Sequence, residues 1–109
     1  METSMSTRYL VMLAAGLVFA GNALAESGEV LAKNSNCMTC HAVDNKLLGP
    51  PFREVAAKYK NDKGAQAALE KKVRSGGAGV WGKMPMPATA MSVSDGDIKG
   101  IVQWVLSLK

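Results

Sequence analysis

Cys37-Met38-Thr39-Cys40-His41 holds both cysteines and the only histidine of a 109-residue chain. Two thiols three residues apart, with an imidazole directly after them, form a C-x-x-C-H sequence. The spacing suits one cofactor. The thiols can reach the two vinyl groups along one haem edge while the histidine projects beneath the ring toward iron. Other uses of these residues are weaker. A thioredoxin-like pair would sit near a β-α-β pattern, which this chain lacks. Structural zinc takes four protein ligands, and only three plausible ones exist. A Cys37–Cys40 disulfide would suit an oxidising compartment but closes too small a loop to stabilise much. The motif therefore predicts one covalently attached haem c, with Cys37 and Cys40 as its thioether anchors and His41 as an axial iron ligand.

Upstream of the motif, the first segment reads as a targeting signal and not as part of the fold. Arg8 gives a short positive start, Tyr9 to Ala20 is almost wholly apolar, and Ala23-Leu24-Ala25 has the small-x-small pattern of signal-peptidase cleavage. A retained membrane anchor would need roughly 20 apolar residues, more than this run supplies. Residues 1–25 are thus expected to be a cleaved secretory signal peptide, and 26–109 a single domain in the periplasm with no membrane span. Those 84 residues are too few for a second core. Their aromatics are only Phe52, Tyr59, Trp81 and Trp104. A domain of this size often needs a cofactor to complete its interior.

The formal net charge is +4, and Glu2 and Arg8 cancel within the first segment, so residues 26–109 keep the whole excess. The charges are dispersed and the chain reads as exported, so nucleic acid is excluded as a partner. A modest positive field suits steering toward an acidic protein surface.

Downstream and upstream of the motif the periodicity is helical. Ser27 to Asn36 reads as a short helix with Val30 and Leu31 facing inward. Phe52, Val55, Ala56 and Tyr59 recur at helical spacing, and so do Ala65, Ala68, Leu69, Lys72 and Val73, with Gly64 dividing the two runs. Ser94 reads as the N-cap of a last helix whose inner face is Ile98, Ile101, Val102, Val105 and Leu108. No run alternates with period two, so the class is all-α. Ser75 to Ser92 is long for an aperiodic connection, and its Trp81, Met84 and Met86 argue for packing over disorder.

An iron that only carries electrons needs a sixth ligand, and without a second histidine the candidates are methionines. Met38 lies inside the attachment loop and cannot reach the opposite face, which leaves Met84, Met86 and Met91. One or more of these fills a gap in an irregular core. Met86 is distinguished by its flanking prolines, whose fixed φ angles stiffen the segment.

Taken together, Cys37 to His41, Gly49-Pro50, Gly79-Val80-Trp81-Gly82, Pro85-Met86-Pro87 and Trp104-Val105-Leu106-Ser107 resemble the small bacterial class I monohaem cytochromes c of the c-551/c-552 group. The likeness runs over nearly all of residues 29–109. It implies about four short helices wrapped around one haem. It also implies that Met86 is the second axial ligand, that the Pro50 carbonyl accepts from His41 Nδ1–H, and that the Trp81 indole N–H meets a haem propionate. Phe52, Tyr59, Leu69, Val73 and Trp104 are expected as core. Lys83, Thr89 and a slightly longer stretch from Ala90 to Val93 depart from the group's pattern, in the neighbourhood of Met86.

With both axial positions filled, the chemistry reduces to Fe(II)/Fe(III) exchange, so the resemblance implies a monomeric, high-potential electron carrier and not an enzyme. A five-coordinate haem acting on a gas or peroxide is the competing reading, and it lacks a distal His or Arg in a recognisable place. Partners are expected to be redox proteins of a respiratory or denitrification chain, met transiently. They would dock at a haem edge framed by Met38, Leu47, Leu48, Met84 and Pro87, with Lys33, Lys46 and Lys83 around it.

Overall fold

The computed structural model describes residues 26–108, so the leader expected over residues 1–25 lies outside the described residues. Among the described residues there are four α-helices: α1 (Gly28–Asn34), α2 (Phe52–Lys58), α3 (Ala65–Ser75) and α4 (Asp95–Ser107). A 3₁₀ turn, Cys37–Thr39, follows α1. The one β-type pairing is an isolated antiparallel bridge between Gly77 and Met86. The all-α expectation holds.

Three of the four helices, α1, α2 and α4, start where local chemistry satisfies free N–H groups. Ser27 caps α1, its hydroxyl accepting from Val30 N at 3.3 Å. The Ser94 hydroxyl accepts from Asp97 N at 3.1 Å, and Asp95 and Asp97 stand in the first turn, where negative charge is favoured. α2 has no side-chain cap. Its first donors, Phe52 N and Arg53 N, reach the Ala42 and Val43 carbonyls at 2.9 and 3.0 Å. The start of α2 is thereby tied to the residues that follow His41.

The first helix is shorter than its sequence suggests. It stops at Asn34, with Ser35 as C-cap, because Asn36 takes a left-handed φ of 65° and turns the chain. The cysteines consequently sit on a 3₁₀ turn after a break and not on the end of α1. Val30, expected inside, is 42% exposed, and Ala32 is the residue of α1 that is fully buried. Ala68, expected on the inner face of α3, is exposed as well, while Ala65 is buried and Leu69 half-buried.

α4 packs against all three other helices. Ile98, Ile101, Val102 and Val105 are buried on it, and Leu108, just past its end, is partly buried against the same core. The core cluster joins Ala32 of α1, Phe52 and Val55 of α2, and Ile101 and Val105 of α4. The α1–α4 crossing is close. A Cβ built on Gly28 would press on Trp104 Cβ and on the Gly100 carbonyl oxygen, and a backbone oxygen cannot swing aside.

Gly28→Ala should therefore overpack this crossing at a cost of about 1–3 kcal/mol, seen as a lower midpoint of thermal unfolding. A variant that melts with the parent would show that the two helices can separate freely.

Candidate haem site

The residues singled out by sequence converge on one cavity. Its volume is about 420 Å³, and Cys37, Cys40, His41, Pro50, Trp81 and Met86 all line it. Val55, Ile101, Val102 and Val105 wall its helical side, so its apolar interior is continuous with the core.

The attachment segment is tightly folded. His41 N and Cys40 N both donate to the Cys37 carbonyl, at 3.0 and 3.3 Å, and Gly49 N donates to the Cys40 carbonyl at 2.8 Å. Both thiols are free. Burial pushes the Cys37 thiol up from its ordinary value, against a smaller lowering by a backbone hydrogen bond.

His41 is held on two sides. Its Nδ1 lies 2.9 Å from the Pro50 carbonyl oxygen. A carbonyl only accepts, so Nδ1 carries the proton and the Nε2 of a neutral ring keeps its lone pair for a metal. The ring also stacks on Phe52, 4.7 Å between centroids and 19° from parallel. Gly49 passes so close that an added Cβ would fall 2.8 Å from His41 Nδ1. A side chain there would displace the imidazole.

Residues 77–82 and 84–87 of the loop after α3 also line the cavity. Gly77 N donates to the Met86 carbonyl at 2.9 Å and Met86 N to the Gly77 carbonyl at 2.8 Å, which pins the backbone beside the Met86 side chain. Met84 also lines the cavity but is 63% exposed, whereas Met86 is half-buried; Met91 does not line it and is 82% exposed. Trp81 stands at the rim, 43% exposed, with the Lys58 ammonium 5.6 Å from its ring centroid. Lys58 lies a comparable 5.9 Å from the Tyr59 ring. No local pattern marks this lysine's place, because its contact with Trp81 crosses from α2 to the loop.

The donor set suits a flat, apolar, iron-bearing group. Two thiols and an oriented imidazole occupy one wall, a thioether another, and aliphatic side chains the space between. The expected surface patch is only partly gathered here. Lys46, Leu48, Met84 and Pro87 line the cavity, while Met38 is half-buried against the core. Lys33 is paired with Glu29 at 3.3 Å on α1.

The cytochrome c family model matches residues 25–109. The chain belongs to the cytochrome c family. It is similar to cytochrome c-551 of Pseudomonas aeruginosa, 46% identical over 92% of this chain and 94% of the relative. Cytochrome c-552 of Nitrosomonas europaea is 42% identical over 96% of this chain and all of the relative. The crystal structure of wild-type Nitrosomonas europaea cytochrome c552 superposes with a TM-score of 0.70 at 43% identity, covering 74% of this chain and 99% of that one. The fold is that of a small class I cytochrome c of the c-551/c-552 group. As a cytochrome c the chain is an electron-transfer protein and not an enzyme, and its cofactor is covalently attached haem c with its iron. Cys37 and Cys40, the only cysteines, are those of the attachment sequence.

Replacing Cys37 and Cys40 by Ala should leave a largely unfolded chain, because the remaining core of so small a domain is thin. Far-ultraviolet circular dichroism decides it: full helicity without haem would show that the polypeptide core suffices.

Proposed function

We propose that this cytochrome c is a periplasmic single-electron carrier with His41 and Met86 as its axial iron ligands. The observation that carries this reading is the single cavity with His41 on one wall and the bridge-pinned Met86 on another. The bound haem supplies one-electron Fe(II)/Fe(III) exchange. Cys37 and Cys40 would hold it by thioether bonds, and the Met86 thioether would favour the ferrous state.

The protein's own part is to hold these donors still. The Pro50 carbonyl keeps the proton on Nδ1 of His41 and so keeps Nε2 available and correctly aimed. Pro85 and Pro87 limit the backbone on each side of Met86, so that a weak donor stays in register. Trp81, at the rim, offers its indole N–H to a propionate, and the Lys58 charge over its ring adds a positive field there.

Residues 1–25 are read as a signal peptide removed on export. The family match begins at residue 25, and cytochrome c-551 of Azotobacter vinelandii is matched over 84 residues, its entire length. Among the described residues no helix is long and apolar enough to cross a membrane. The carrier would work as a monomer between redox proteins of a respiratory or denitrification chain. It would meet them at the exposed apolar rim, where Leu47, Leu48, Val80, Trp81 and Met84 are 43–63% exposed.

The ligand assignment predicts that Met86→Ala abolishes the thioether-to-ferric-iron absorption band and lowers the potential by a sizeable part of the roughly 0.8 V that axial ligands span. Met84→Leu should change neither by much. The opposite pattern would make Met84 the ligand.

The docking assignment predicts that charge reversal at Lys46 or Lys83 slows electron transfer to an acidic partner several-fold at low salt, with the loss shrinking as ionic strength rises and the potential almost unmoved. If reversal of lysines on the opposite face has the larger effect, partners dock elsewhere.

A further inference from the structure

We infer that Arg74 is a positioning residue for the Met86 loop, setting how firmly the Met86 thioether competes for iron; the inference rests on Met86 being the axial ligand. Arg74 lies in the last turn of α3 and its side chain is only 21% exposed. The guanidinium donates to the Ala90 carbonyl at 3.1 Å, to the Val93 carbonyl at 2.7 Å and to Asp95 Oδ1 at 2.8 Å, with a longer contact of 3.5 Å to the Thr89 carbonyl. One planar group thus gathers the C-terminal limb of the loop and the first residue of α4.

The neighbouring residue completes the clamp. The Val73 carbonyl accepts from Thr89 N at 3.2 Å and from the Thr89 hydroxyl at 2.7 Å. Met86 is thus itself fastened to Gly77 by the paired bonds, and the chain is fastened again from three residues later by the Val73 and Arg74 contacts. The carbonyls that Arg74 gathers fall at Thr89, Ala90 and Val93. Hydrogen bonds to a charged donor hold more firmly than neutral ones. A lysine reaches such a spread of acceptors poorly, since its ammonium is a compact point charge.

A loop held at both ends presents the thioether without first having to order itself; a loop held at one end spends part of its time detached. An added ligand captures that detached fraction, so its apparent affinity reports the clamp directly. Simple loss of global stability does not alter binding to the folded protein, which separates positioning from a merely structural role.

The test uses the haem-loaded protein with Arg74→Gln and Arg74→Lys, the second keeping the charge should the first fold poorly. The ferric form is titrated with imidazole and its thioether band recorded. Both variants should bind imidazole about tenfold more tightly than the parent, equivalent to about 1.4 kcal/mol, and should keep the band in the absence of imidazole. Variants that melt lower but bind imidazole within twofold of the parent overturn the inference. Met86→Leu in the same titration keeps the two readings apart. If its band persists, the ligand assignment has failed and the inference with it. If its band vanishes while the Arg74 variants behave as the parent, only the positioning role is lost.

Discussion

The Pro50 carbonyl fixes one edge of the His41 ring at 2.9 Å, and Phe52 covers one face at 4.7 Å. Phe52 in turn meets Trp104 edge-on, 5.5 Å between centroids, and Trp104 closes over Gly28 where α1 crosses α4. An unbroken line of contacts therefore runs from the His41 imidazole to the close crossing of α1 and α4. Turning the imidazole would require moving Phe52, a core member, and through it the indole. A rotation that is free in an isolated histidine is here opposed by core packing.

The Met86 segment is built on another principle. No helix carries Met86, and its segment holds its shape through proline, one β-bridge and hydrogen bonds donated and accepted by Val73, Arg74 and Thr89. Such a loop can yield without unfolding the helices, since its fastenings are polar and discrete. His41 and Met86 thus answer to separate sets of contacts, apolar packing for the imidazole and a hydrogen-bonded clamp for the thioether segment. Changes in the loop can adjust the thioether while leaving the imidazole where it is.

Legibility in the sequence followed the distance between cooperating residues. Cys37, Cys40 and His41 are adjacent, so their chemistry was readable without a fold. Ser94 and its helix were readable because a cap acts on the residue three places on. The inward face of α1 was misjudged at Val30: a seven-residue helix offers too few turns for periodicity to fix its rotation, and Gly28, with no side chain to mark it, decides the contact. The end of α1 was missed because Asn36 adopts a left-handed turn that polar residues favour only modestly. Phe52 was taken for ordinary core, while its ring also buttresses His41, eleven positions away. Lys58 and Arg74 were missed for the same reason, since their partners are brought to them by the fold.

The interior is divided between protein and cavity in a way that links folding to function. Among the described residues nine apolar ones are buried, and of the larger side chains there only Ile98 is below 2% exposed. Val55, Ile101, Val102 and Val105 belong both to that interior and to the cavity wall, so a substitution that loosens the core also reshapes the surface against which a haem would lie. Burial of that surface contributes roughly 25 cal/mol per Å² whichever partner covers it. Cofactor retention and fold stability consequently draw on the same side chains. The freedom to vary lies instead at the rim, where Leu48, Val80 and Met84 already face outward and carry little of the core's packing. Substitution there comes at small cost to the fold, because those side chains touch the surroundings more than they touch one another.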